Sequence, residues 1–305
     1  CIAGAAELAH YLAKDALRTA VTQAAEASTS LPPAIYLERA IVVYAAGQAG
    51  AERPFPPCMC SLGREYAMDV ETSGQTMRLQ VPYVLLLSEQ DPLGVWAHEL
   101  GHTLHSRHEA GADDRLADRY TDPKAPASSG TVGFWDLMAL GSYWGAPAGS
   151  APAHMSSYTK ELAGWLRYRQ AEPGQEYALT ALESQGAGSE VLAVDGPSGG
   201  RNGGDYYILE ARDRTTPYGA PETGVVIYHV TRDRSTKQEI VEPVYCQNGE
   251  PMGFANGTAY RHSALHGSAE GLLEATTYAL RGGVVIRLLA ESFSPYRATV
   301  RIEQP

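Results

Sequence analysis

The segment His98-Glu99-Leu100-Gly101-His102 constrains this chain more than any other. Residues four apart share one face of an α-helix, so the imidazoles of His98 and His102 converge on one point only if the segment is helical. Glu99 then stands beside them, placed to take a proton from water held at a metal ion. Upstream, Asp91-Pro92-Leu93-Gly94-Val95-Trp96-Ala97 sets a proline near a helix start, and Val95, Leu100 and Leu104 follow at helical spacing. The pattern predicts a partly buried helix over about 92–105.

His108 stands six residues beyond His102. Reached after a sharp turn at the end of the helix, its imidazole would complete a zinc set of His98, His102 and His108, with Glu99 as general base. One residue departs from this pattern. Glycine tolerates best the positive φ with which a chain leaves a helix, and this chain has His105 at that point. His is among the residues that enter the left-handed region, so the turn is attainable at a cost.

Three segments in order carry a family resemblance: GVWAHELGHTL at 94–104, VGFWDLMA at 132–139 and KELAGWL at 160–166. Together they resemble the immune inhibitor A family of secreted metallopeptidases. They are also similar to the gametolysin family, whose motif carries His as third ligand. Both families belong to the metzincin-like group. The resemblance runs over roughly 35–230 and is strongest between 94 and 166. It implies a secreted zinc-dependent endopeptidase that hydrolyses peptide bonds of extracellular proteins, and a methionine beneath the zinc, for which Met138 in FWDLMALGS is the match. It also implies a competitor for His108. Leu116-Ala117-Asp118-Arg119-Tyr120-Thr121 resembles an LPDLYD-like segment of immune inhibitor A relatives, which makes Asp118 the alternative third ligand. In the related peptidases an edge strand before the zinc helix binds an extended substrate by strand addition, and Met77-Arg78-Leu79-Gln80-Val81 is the segment offered for it.

Other readings stand beside these. Without the family, Met138 is a gap-filling core residue. Glu161 in TKELAGW is a third-ligand candidate of the glutamate type, and Tyr143 is either an exposed loop tyrosine or a neighbour of the metal. The carboxylates Glu109, Asp113, Asp114, Asp118 and Asp122 form either a solvated acidic loop or an oxygen-rich Ca2+ site without an EF-hand pattern. His229, His262 and His266 lie outside any ligand spacing and read as structural or surface residues. A protein- or carbohydrate-binding module with a silent peptidase-like domain is the rival reading from another class, and the intact Glu99 argues against it.

Composition narrows the partners. A net charge of −11 over 305 residues, with basic charge almost all arginine and no basic cluster, argues against nucleic acid or an anionic membrane surface. Protein or peptide substrates are what the family resemblance implies. No run of 18 apolar residues offers a membrane span. Neither does the start show a leader pattern, so the secreted reading takes any leader as already removed. Four cysteines, Cys1, Cys58, Cys60 and Cys246, permit up to two disulfides of undetermined pairing, and Cys58-Met59-Cys60 is too short for a metal set.

The expected fold class is α+β. Residues 3–26 read as an amphipathic helix, and the apolar runs at 40–44 and 77–88 as strands of one sheet behind the active-site helix. Short strands recur from about 172, at 176–182, 190–194, 206–211, 225–230, 282–289 and 298–302, and read as a β-sandwich. The expected domains are a metzincin-like catalytic domain over 1–170, a mixed sheet with the active-site helix, and a β-sandwich domain over 171–305.

Overall fold

A computed structural model describes residues 16–24, 34–36, 39–44, 66–72, 75–81, 83–88, 91–104, 116, 118–119, 132–184, 190–219, 221, 223–232, 239–244, 264–265, 277–293 and 295–303. His105, His108, all four cysteines, His10, His262 and His266 lie outside the described residues. The architecture is mixed α/β, with many strands and few, short helices. Contacts divide the chain between residues 105 and 106 into two units.

In the first unit, helix α1 (16–24) buries Leu17 and Val21, four residues apart, while 18–20 face solvent. Strands β1 (Ala34–Tyr36), β3 (Tyr66–Thr72) and β4 (Gln75–Val81) form a three-stranded sheet in the order β1-β4-β3. Met68, Val70, Met77, Leu79 and Val81 alternate along β3 and β4 onto one face, where they join Leu17 and Val21 in a single apolar cluster. The other face is polar. Arg78 and Asp69, paired in register, form an exposed ion pair at 2.9 Å.

Strand β2 (Arg39–Tyr44) pairs in parallel with β5 (Tyr83–Ser88), whose Leu85 and Leu87 are fully buried. The zinc-motif helix α2 (Leu93–Gly101) packs against β5. Two expectations are corrected here. The apolar run 77–88 is two strands in separate sheets, and the proline at 82, with no N–H to donate, stands between them. The segment Met77–Val81 is not an edge, because β4 is the middle strand, paired on one side with β1 and on the other with β3. Its backbone groups are already engaged, so a substrate cannot add to it.

The second unit contains a six-stranded sheet and a four-stranded sheet. The first has β6 (Arg169–Gln170), β8 (Leu192–Gly199), β9 (Asp205–Arg212), β10 (Gly224–Arg232) and β11 (Glu239–Pro243) in the order β11-β10-β9-β8-β6, with β12 (Ala264–Leu265) on β10. In the second, β7 (Glu176–Thr180), β13 (Thr277–Ala279), β14 (Val285–Phe293) and β15 (Tyr296–Glu303) run β13-β14-β15-β7. Leu192, Val194, Tyr207, Leu209, Ala211, Val225 and Ile227 of the larger sheet share one core with Tyr177, Leu179, Ile286, Ala298, Val300 and Ile302 of the smaller. All six strands expected after 172 are present; β6, β12 and β13, of two or three residues, are too short to carry a pattern, and β11, as long as β7, was not expected.

Strand β9 is buried along almost its whole length because it is covered on both faces. Tyr207, Leu209 and Ala211 face the shared core. Glu210 and Arg212, on the opposite side of the pleat, meet residues 135–157 instead. Arg212, with no exposed surface, donates from Nε to Glu183 at 2.5 Å, from Nη1 to Glu210 at 2.8 Å and the Trp135 carbonyl at 2.7 Å, and from Nη2 to the His154 carbonyl at 3.2 Å. Burial works against its charge, and the two carboxylates outweigh burial and keep it cationic. Glu210 in turn accepts from the Ser157 N–H at 2.7 Å and the Tyr228 hydroxyl at 2.7 Å. Removing one partner of such a network strands the others in a low-dielectric interior. Arg212→Ala should therefore cost about 3–5 kcal/mol in urea unfolding. Arg169→Ala, which breaks an exposed pair with Glu190, should cost at most about 1 kcal/mol.

Candidate metal centre

Helix α2 starts at Pro92, whose carbonyl accepts the N–H of Val95 at 3.0 Å and of Trp96 at 3.3 Å. It ends earlier than its sequence pattern predicts, at Gly101, with His102 as the C-cap still in right-handed conformation. The next bonds tighten: Thr103 N–H reaches Leu100 and Leu104 N–H reaches Gly101, both at 3.0 Å, and the Thr103 hydroxyl donates to the Leu100 carbonyl at 2.7 Å. A hydroxyl that takes a helix-end carbonyl competes with continued helix, and the ladder stops there.

His98 and His102 nevertheless keep their helical spacing. Their Nε2 atoms stand 3.2 Å apart and their rings are nearly perpendicular, at 86°. Two nitrogens on one tetrahedral zinc, each at 2.0–2.1 Å, are separated by about 3.3 Å. The pair thus has the spacing of two corners of a zinc tetrahedron. Glu99, next in the helix, is buried, as is His98. His98 and His102 belong to the first unit, and Asp118, the carboxylate that the family resemblance offers as third ligand, to the second. Two imidazoles and a carboxylate are a donor set that zinc accepts. The Glu161 carboxylate pairs with Arg201. Of the carboxylates weighed for Ca2+, Glu109, Asp113, Asp114 and Asp122 lie outside the described residues.

Asp118 is held through its neighbour. The Arg119 N–H donates to the Met138 carbonyl at 2.7 Å, and the Arg119 carbonyl accepts from the Val132 N–H at 3.1 Å. The Arg119 guanidinium, itself buried, lies over the Tyr158 ring at 5.2 Å.

Met138 is fully buried in a tight turn. The turn is built by Asp136, whose side chain accepts the Met138 N–H at 2.8 Å while its carbonyl accepts the N–H of Ala139 and of Gly141, both at 3.0 Å. An aspartate accepting from the N–H two residues on is a turn-forming device. Glycine is required at 141, because a Cβ there would meet the Asp136 carbonyl oxygen at 2.4 Å. The second Asp136 oxygen accepts the hydroxyls of Ser156 and Thr159, at the start of helix α3 (Ser157–Leu162), where Ser156 is the N-cap. Asp136, Arg212 and Glu210 hold the Met138 turn and α3 in place, which the motifs do not reveal. The available signals are an Asp two residues before the Met, and two charges at alternate positions of an otherwise apolar strand.

Tyr143 is exposed, in a 3-10 turn over Leu140–Tyr143. His229 has a structural role, bonded to Asp205 at 2.9 Å and stacked on Tyr207.

Residues 66–170, about a third of the chain, match the family model for the catalytic domain of immune inhibitor A peptidase M6. The match spans β3 to β6, including α2, Asp118, Met138 and α3. The chain therefore carries a metallopeptidase segment resembling immune inhibitor A, and with it the expectation of a metal, usually zinc, and of protein substrates. No curated protein matches the chain. No helix among the described residues is long and apolar enough to cross a membrane.

One group beside the Arg212 network titrates far from its ordinary range. Burial, with Lys160 and Arg212 adding, pushes the His154 imidazole down to about 4, and its Nδ1 has no hydrogen-bond partner. Between about pH 6.5 and 4 the unfolded chain takes a proton that the folded chain refuses, so stability falls as pH drops through this window. His154→Gln should flatten that part of the pH profile. Urea midpoints of both proteins at pH 4, 5, 6 and 7 measure the difference.

Proposed function

We propose that this protein is a secreted zinc endopeptidase of metzincin-like architecture, in which His98, His102 and Asp118 hold the zinc and Glu99 is the general base. The observation that carries the reading is the His98 and His102 pair, with Nε2 atoms 3.2 Å apart and a buried glutamate beside them. Asp118 is supported by the resemblance of residues 116–121 to the LPDLYD-like segment and by the backbone bonds that anchor its neighbour Arg119, and His108 lies outside the described residues. The shared core of the two later sheets supports a β-sandwich following the catalytic segment in sequence. Secretion and extracellular substrates rest on the family resemblance alone.

When bound, zinc supplies Lewis acidity, which makes water a usable nucleophile near neutral pH and stabilises negative charge at the scissile carbonyl. The chain's residues do the rest. The imidazoles of His98 and His102 bind as neutral ligands through Nε2. The Glu99 carboxylate takes the proton of the attacking water and passes it to the leaving amine nitrogen. The burial of Glu99 keeps bulk water from competing for that proton.

The full chain should bind about one zinc and cleave casein, with cleavage lost on complete metal removal and regained with zinc. Full activity after verified metal removal would sink the reading. Glu99→Ala should retain zinc and lose at least about two orders of magnitude in turnover, since the base goes and the ligands stay. Cleavage near the wild-type rate by that variant would rule out Glu99 as base, and protein binding without any cleavage would favour the non-catalytic module. For the third ligand, Asp118→Ala should weaken zinc binding strongly and His108→Ala little; the reverse result moves the assignment to His108 and leaves the peptidase standing.

A further inference from the structure

We infer that Asp136 is a positioning residue for the metal site, setting Asp118 through the turn that carries Met138. The inference rests on the proposal that Asp118 is the third ligand. The connection is short and made of backbone bonds. Asp136 Oδ1 accepts the Met138 N–H at 2.8 Å and so fixes the plane of the peptide before Met138. The Met138 carbonyl accepts the Arg119 N–H at 2.7 Å. That N–H belongs to the peptide joining Asp118 to Arg119, so the Asp118 backbone lies one peptide away from the turn. The second bond of the clamp, Val132 N–H to the Arg119 carbonyl at 3.1 Å, closes the pairing from the other end.

Asp136 is suited to this because it is held in turn from several directions. It is fully buried, and its outer oxygen accepts the Ser156 and Thr159 hydroxyls. Its own carbonyl is engaged by Ala139 and Gly141. The Trp135 carbonyl, one residue before it, accepts from Arg212 at 2.7 Å. The carboxylate cannot turn away from Met138 without abandoning two hydroxyls in the interior. A ligand whose orientation is set by such outer contacts loses affinity when they are removed, by about 10–100-fold in well-characterised sites.

The test measures zinc dissociation constants of the folded full-length chain by competition with a chromophoric chelator, together with the visible spectrum of the cobalt-substituted protein. Asp136→Ala should weaken zinc by about 10–100-fold and change the cobalt bands. Asp136→Asn, whose Oδ1 still accepts the Met138 N–H, should stay within about threefold of wild type. Adding Asp118→Ala to Asp136→Ala should cost little more than either change alone, because both remove one contribution. A purely structural role gives a different pattern: lower thermal stability, unchanged zinc affinity of the folded protein, and additive effects. That pattern overturns the inference while leaving Asp118 a ligand. Intact zinc affinity in Asp118→Ala overturns the ligand assignment and the inference with it. Should Asp136→Ala not fold, Ser156→Ala with Thr159→Val frees the outer oxygen; a smaller loss of zinc affinity is then expected, and an unchanged constant overturns the inference.

Discussion

A guanidinium without access to water must have its charge and its five donors met by the protein, and Arg212 is such a group. Its partners come from four places in the chain. Glu183 follows β7, Glu210 shares its strand, Trp135 precedes the Met138 turn and His154 precedes α3. None of these segments can shift without leaving a buried charge or donor unmet. The position of the Met138 turn is thereby tied to the larger sheet. The short helix α3 is tied in the same way, through Ser157 N–H on Glu210.

This arrangement places the sheet on both sides of the functional question. One face of β9 contributes Leu209 and Ala211 to an ordinary apolar core. The other face spends its burial on charge, with Glu210 bridging Arg212, Tyr228 and the backbone of Ser157. Burial and the adjacent Glu210 hold the Tyr228 hydroxyl protonated, so it serves as a donor there. An apolar face would pack the same segments with less desolvation cost, but in a less defined register. Directional bonds to the Trp135 and His154 carbonyls define which residue of each loop meets the strand.

The parts legible in the sequence are those whose information is local. HELGH declares its helix because four-residue spacing and the apolar positions agree, and the six strands after 172 announce themselves as short apolar or alternating runs separated by turns. The end of α2 was set by an interaction the spacing does not encode, the Thr103 hydroxyl taking the Leu100 carbonyl. Met77–Val81 reads correctly as a strand and incorrectly as an edge, since alternation identifies a strand but says nothing of its neighbours. Glu210 and Arg212 escape notice for a related reason: a charge in a strand is normally placed on a solvent face, and only the cover supplied by residues 135–157 makes that face interior. Met138 is recognisable from its motif, whereas Asp136 becomes meaningful only when Ser156 and Thr159, 20 and 23 residues away, are brought to its carboxylate.

The same contrast runs through the proposed ligand set. His98 and His102 take their spacing from one helix, whereas the backbone beside Asp118 is held by a turn built more than a dozen residues later. A spacing held within one helix is set when that helix forms, whereas a side chain reached through the Asp136 turn is set only when Ser156 and Thr159 close on that carboxylate.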